Sequence, residues 1–438
     1  MINDALSLVT KCAVSFRSVP KILKTTVFPD DGLSNIKIPH FTSVIRWMTR
    51  LGYYLLKRST KKICSPRKPW VCVADHTIQV GTNKAFVVIG IPVDRLKLGR
   101  ALTLNDATVL ATAVQTSWTG EKVSSILRKV FNHNGSPLQI IIDGASNLKK
   151  GVREVLEDIE QDCHVSYDIT HFIAKLLKEK YGGMRFHKIM NELAIASKRI
   201  AQTDIGYLLP PKIREKSRFL NFPNLANWFD KVINIKEHAR LNNAEKRQIK
   251  KYFGWMWKPK LESYIRIFIK EVKAIKDLQK ILKNTGINEF SYQKACSNLS
   301  EIDDESFTEP ILRALTTELE YSKQVGHPLL LTSDLIESLF GKHKTITKPH
   351  RLSEISRSVL SIPVVCEEIT PELIDKAFSK TSEKEVVRWV KRHIPTTLLS
   401  RKRKVMKPNT NNVSTFSEFG TSNEVCLRQI GRKIEVAF

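Results

Sequence analysis

The sequence predicts a mixed α/β (α+β) fold, with a sheet flanked by helices, interrupted by a wholly helical stretch and preceded by a small helical head. Three observations carry this. Short Val- and Ile-rich runs bounded by turn residues cluster between residues 70 and 167. Apolar residues at helical spacing dominate from 171 to 320 and return at 330–344. The first 56 residues hold only short helical patterns.

In the head, Phe41, Val44, Ile45 and Met48 fall at i, i+3, i+4 and i+7, one face of a helix. Pro39 and His40 precede it, and Gly52 stands where a helix commonly ends. Upstream, 14–23 reads as a short helix or pair, with Ser15 as cap and Pro20 starting the second piece. The arrangement is helix-turn-helix-like, with 41–51 as reader helix and Ser43, Arg46 and Arg50 turned outward toward a major groove. The same residues also suit a helical pair that only packs on the core. Residues 57–69 form a linker with six basic residues and two prolines.

Runs 71–74 and 85–93 are expected strands joined by a turn at 81–84, and 109–116 is a third. A helix at 121–130 shows Val123, Ile126, Leu127 and Val130 on one face. The apolar run 138–142, a helix at 148–159 and a strand at 163–167 follow. The order β-β-β-α-β-α-β is that of an RNase H-like fold. The segmentation is therefore 1–56 helical head, 57–69 linker, 70–170 first part of the core, 171–325 all-α insertion, 326–395 second part of the core and 396–438 basic tail.

Of 438 residues, 42% are hydrophobic and 26% charged, an ordinary globular balance. The charge is not ordinary: 71 Lys and Arg against 44 Asp and Glu leave a net +27 and imply a polyanionic partner, DNA or RNA. Seven scattered cysteines without a C-x-x-C pair argue against structural zinc and a disulfide framework. No apolar run is long enough to span a membrane, and Met-Ile-Asn-Asp lacks a secretory n-region, so a cytoplasmic location is expected. Phosphate-loop, dinucleotide and zincin motifs are absent.

Three acids stand out: Asp75 after Val71-Cys-Val-Ala74, Asp143 after Ile140-Ile-Ile142, and Glu337 on the helix at 330–344. In the expected sheet Asp75 and Asp143 lie on neighbouring strands, and Leu335, Ile336, Leu339 and Phe340 pack the glutamate's helix across them. Bringing three carboxylates together without a cation costs on the order of 4 kcal/mol per close pair at an effective dielectric of 20. Divalent metal removes that cost and suits phosphodiester chemistry. The structural alternatives are a turn at Asp143-Gly144 and a capping box at Asp334-x-x-Glu337. Asp168 is a further acid at a strand end, and His76 and His171 flank acidic positions.

Val73-Ala-Asp75, the run from Ile141-Ile-Asp143 to Gly151, Tyr167-Asp-Ile-Thr-His171 and Ser333-x3-Glu337-x2-Phe340-Gly-Lys342-x-Lys344 together resemble the DDE transposases of bacterial insertion sequences, over roughly 1–395. The resemblance implies Asp75 shared between two Mg²⁺ ions (Mn²⁺ substituting), with Asp143 and Glu337 each completing one site. It also implies strand cleavage at the element's ends and transfer to target DNA. Terminal inverted repeats and target DNA become the expected partners, with a homodimer or higher oligomer assembled on DNA in the bacterial nucleoid. A related group carries Tyr, Arg and Lys at −7, −4 and +7 from the glutamate; here these positions are Leu330, Ser333 and Lys344. Lys342 and Lys344 are the expected phosphate contacts. Some relatives stack a flipped base on a Trp of the insertion, a role open to Trp255 and Trp257, which equally suit buried packing. An inactive or domesticated DNA-binding protein and a simple nuclease on the same core are the alternatives.

Overall fold

The structure is a computed structural model and describes residues 1–27, 37–59, 69–96, 99–158, 163–212, 221–235, 241–347 and 354–406. Most of the expected linker and the end of the tail lie outside the described residues. The chain begins with α1 (Ile2–Thr10), α2 (Val19–Ile22), a π-helical turn at Leu23–Val27, and α3 (Phe41–Ser59). Helix α3 passes straight through Gly52, where the sequence pattern placed its end. The glycine serves a close approach instead. A Cβ there would lie 1.6 Å from the Leu360 carbonyl oxygen, so only a residue without one lets the two backbones meet.

The sheet joins β1 (Trp70–Val80), β2 (Asn83–Pro92), β3 (Thr108–Gln115), β4 (Gln139–Ile142) and β5 (His164–Tyr167) in the order β3-β2-β1-β4-β5. The first three strands are antiparallel, whereas β4 runs parallel to β1 and β5 parallel to β4. This is the strand arrangement expected of the core. Helices α4 (Gly120–Asn134) and α5 (Ser146–Glu157) provide the crossovers. Side chains alternate along a strand. Trp70, Cys72, Ala74, Ile140 and Ile142 therefore pack with Val123, Leu127 and Val152 of α4 and α5. Val71, Val73, Val87, Ile89 and Ile141 face the opposite side.

Beyond β5 the described chain is helical: α6 (Ile169–Tyr181), α7 (Met184–Ile200), α8 (Phe222–Asn234), α9 (Asn243–Phe253), α10 (Pro259–Thr285), α11 (Glu289–Leu299) and α12 (Glu305–Val325). These helices share a core of their own, in which Tyr181, Phe186, Phe222, Phe229 and Phe268 are buried. Buried Glu271 accepts hydrogen bonds there from Lys180 at 2.7 Å and Tyr181 at 2.5 Å. Helix α13 (Asp334–Thr347) then returns to the sheet, followed by α14 (Ser361–Val365), α15 (Pro371–Lys380) and α16 (Glu383–His393). Residues from Thr396 onward form a separate unit whose described helix is α17 (Leu398–Val405).

The head is not free-standing. Ala5, Leu6, Val9, Val19, Val44, Met48 and Leu51 belong to the same buried cluster as Val73, Ile89, Leu339 and Val364. At about 1.5–3 kcal/mol per buried aliphatic side chain, α1 and α3 help to build this side of the sheet. Their apolar faces are used there. Among the described residues no helix is long and apolar enough to cross a membrane.

Candidate active site

Strand register brings the first acids together. Pairing of β1 with β4 reaches Val73 opposite Ile141, and pairing of β4 with β5 sets Ile141 opposite Ser166. Two residues further on are Asp75, still within β1, and Asp143 and Asp168, each the first residue beyond its strand. A step of two keeps a side chain on the same face of a strand, which puts Asp75 on the face of Val73. Asp75 does not end its strand as the sequence pattern predicted. β1 continues to Val80 because its hairpin partner β2 outlasts β4, with a register shift between Asp75 and Ile78. Such irregularities re-aim a side chain at a sheet edge. Asp75 is 2% exposed, and its Oδ1 accepts the His76 N–H at 2.5 Å. The His76 ring in turn meets the Asn147 side chain, with Nε2 3.1 Å from Oδ1.

Asp143 is half-buried, and its Oδ1 accepts the Ala145 N–H at 2.9 Å. The turn carries Gly144 at φ +83, a backbone region that favours glycine. The turn role foreseen for Asp143 is therefore real. It uses one carboxylate oxygen.

Asp168, 2% exposed, divides its oxygens between two helices. Oδ1 caps α6 by accepting the His171 N–H at 3.0 Å, and Oδ2 accepts the Ser333 N–H at 2.6 Å together with the Ser333 hydroxyl. Ser333 immediately precedes α13. Beside it the Gln139 side chain donates to the Leu330 carbonyl at 2.7 Å and accepts the Leu330 N–H at 3.2 Å. Residues 330–333 are thus fastened to β4 and β5 before α13 begins. Leu330 is 8% and Ser333 2% exposed.

Helix α13 lays Leu335, Ile336, Leu339 and Phe340 on the sheet and leaves Glu337 exposed at its edge. With Ser333 in the cap position, Glu337 lies one residue beyond the acid of a capping box. The Ser333 N–H that such a box would engage is held by Asp168. The structural alternative for Glu337 does not apply in this geometry. Its Oε1 stands 3.9 Å from His171 Nε2, while His171 Nδ1 is 3.4 Å from Asp168.

Electrostatics mark these groups as one cluster. Although the Glu337 side chain is exposed, partial desolvation of its carboxyl pushes it up; His171 opposes this, and the negative charges of Asp168, Asp334 and Asp75 add to it. The His171 imidazole is pushed up to about 9, chiefly by its hydrogen bond to Asp168, with burial opposing and the charges of Asp168, Glu337 and Asp143 assisting. Burial alone would raise Asp168, but bonding from His171 and Ser333 outweighs it and holds the carboxyl below its ordinary range. Among the described residues no three His, Cys, Asp or Glu side chains converge tightly enough to ligate one ion. The donors are nonetheless hard carboxylate oxygens in a cluster of excess negative charge, a set that suits Mg²⁺, for which one or two carboxylates per ion suffice.

No protein-family model matches the chain, and no curated protein matches it. One similar solved structure is a chain titled "Drosophila P element transposase strand transfer complex". It shares 13% identity at a TM-score of 0.44, over 85% of this chain and 92% of that one.

The remaining predicted residues are dispersed. Lys342 and Lys344 are exposed on α13, and Lys344 lies two turns beyond Glu337 on the same side. Arg46 is exposed and Ser43 half-buried. Arg50 does not face outward. It donates to the Thr381 carbonyl at 2.6 Å and to the Phe378 carbonyl, and its guanidinium lies 4.6 Å from the centre of the Phe378 ring. It ties α3 to α15. Trp255 and Trp257 are partly buried against the helical core, and the Trp255 indole N–H bonds the Tyr252 carbonyl at 2.9 Å. The fastening roles of Gln139 and Ser333 escaped the sequence reading because neither signals a contact until its distant partner is known.

Proposed function

We propose that this chain is a DNA transposase of the DDE type, resembling those of bacterial insertion sequences, which binds its element's ends and cleaves and transfers DNA strands. A single observation carries the reading. Asp75 and Asp143 follow paired positions of β1 and β4, and Glu337, 194 positions beyond Asp143, lies on the helix whose preceding Ser333 is held by Asp168, which supports a shared site for the three. The net charge of +27 supports a polyanionic substrate. Asp75, Asp143 and Glu337 would hold two Mg²⁺ ions, which when bound supply an activated oxygen nucleophile and stabilise the leaving oxyanion. The protein positions the carboxylates, and exposed Lys344 offers a phosphate contact beside them.

The test is strand cleavage on a duplex carrying the element's ends. Asp75→Asn, Asp143→Asn and Glu337→Gln are each expected to lower cleavage at least a thousandfold while end binding survives. Wild-type rates in all three would refute the assignment. One observation favours a second reading, a DNA-binding protein without the chemistry: among the described residues no three His, Cys, Asp or Glu side chains converge tightly enough to hold one ion. Mn²⁺ titration separates the two. Saturable binding lost in Asp75→Asn supports the enzyme, and no binding supports the second reading.

A further inference from the structure

On the face of the sheet that α5 covers, opposite the face of Val73 and Ile141, lies an open groove of about 400 Å³ lined by Ile142, Lys149, Val152, Arg153, Val165 and Tyr167. Tyr167 pairs with Ile142 across the strands and immediately precedes Asp168. The groove reaches the turn after Asp143: a Cβ on Gly144 would lie 3.5 Å from Lys149 Cε and 3.6 Å from Tyr167 Cδ1. The groove therefore lies at the same end of the sheet as Asp143 and Asp168, on the opposite face.

The chemistry of the lining is specific. Tyr167 is a large aromatic left 47% exposed at the end of the edge strand β5. Lys149 Nζ lies 4.4 Å from its ring centre, which holds the ring from one face and leaves ring surface toward solvent. Lys149 and Arg153 are both exposed, one turn apart on α5, and Val152 and Val165 supply apolar walls. A flat π surface, apolar sides and paired cations match an unpaired nucleotide: the base stacks and the backbone phosphate meets the cations. Glu157 is the single acid among the lining residues, so the lining favours an anion.

We propose that this groove holds one unpaired nucleotide of the DNA strand next to the scissile phosphate, stacked on Tyr167 with its phosphate between Lys149 and Arg153. The inference rests on the transposase reading and says where the strand leaves the duplex. It gives the exposed tyrosine a function separate from the carboxylates.

The test uses the full chain without divalent metal, with a single-stranded oligonucleotide containing 2-aminopurine and the matching duplex. Wild type is expected to quench the probe on binding. Tyr167→Ala should abolish the quench and weaken single-strand binding about tenfold, with duplex binding little changed, and Tyr167→Phe should retain both, which controls for folding. Lys149→Met with Arg153→Met should lower the magnitude of the salt slope for the single strand by roughly 1–2. Undiminished quench and affinity in Tyr167→Ala would overturn the proposal, as would an equal loss on duplex and single strand. Failures of the two readings are distinguishable. Cleaving wild type with an unaffected Tyr167→Ala removes the groove alone; loss of the quench in Tyr167→Ala from a wild type that never cleaves keeps the groove and removes the chemistry.

Discussion

Asp168 and His343 show how much of this site is decided by single side chains. Asp168 satisfies the start of α6 and the segment before α13 with one carboxylate. Asp168→Ala removes a helix cap and strands the Ser333 donors, and the expected loss is about 3 kcal/mol in urea unfolding. Ser333→Ala should lose only about 1 kcal/mol, because its backbone N–H keeps the carboxylate. Equal losses would show that the backbone bond contributes nothing. His343, buried on the sheet side of α13 with Nδ1 2.9 Å from the Ser361 hydroxyl, carries a pH prediction. Burial, assisted by the Lys344 charge, pushes its imidazole down from 6.5 to about 4. The folded state therefore binds fewer protons than the unfolded chain between these values. Stability from this group is complete above about pH 6.5 and is lost as pH falls toward 4. The change is on the order of 3 kcal/mol. Unfolding curves for wild type and His343→Gln should converge as pH falls over that interval; parallel curves would refute the buried neutral imidazole.

Among the elements, α3 and α13 were read from the same kind of pattern with different success. The apolar face of α13 was legible because Leu335, Ile336, Leu339 and Phe340 repeat at helical spacing. The strands were legible as short β-branched runs between turn residues. The length of α3 was not, because Gly52 is ambiguous in sequence: a terminator and a close-contact residue look alike until the Leu360 backbone is placed against it. Likewise β1 outran its apolar stretch because β2 supplied partners beyond Asp75. Gly52 yields a prediction whose sign separates the two readings. Helix propensity alone makes Gly52→Ala stabilising by roughly 1 kcal/mol. The 1.6 Å approach makes it destabilising, by about 3 kcal/mol or more once the backbones are forced apart. A lower urea midpoint is the expected outcome, and an unchanged or higher one would mean that α3 and Leu360 do not meet.

Over the whole molecule, the charge was legible from composition, but the placement of the cations was not. Arg50 and Lys344 look equivalent in sequence, each a cation on an amphipathic helix. In the fold Arg50 is engaged by two carbonyls and a ring more than 300 positions away, whereas Lys342 and Lys344 remain exposed beside Glu337. The acids show the same contrast. Their residue types and strand frames suggested a cluster, yet Gln139 and Asp168, which fasten the glutamate's helix to the sheet, act on residues more than 160 positions away. Salt titration of duplex affinity reads this division directly. Each phosphate contact contributes about 0.9 to the slope of log K against log salt. Lys342→Gln with Lys344→Gln should flatten that slope by roughly 2 and leave unfolding unchanged. Arg50→Gln should leave the slope as it is and lower stability by about 2 kcal/mol, the loss of charged hydrogen bonds to carbonyls. The reverse pattern, a flattened slope in Arg50→Gln with normal unfolding, would return α3 to the role of a groove-reading helix and take the phosphate contacts away from α13.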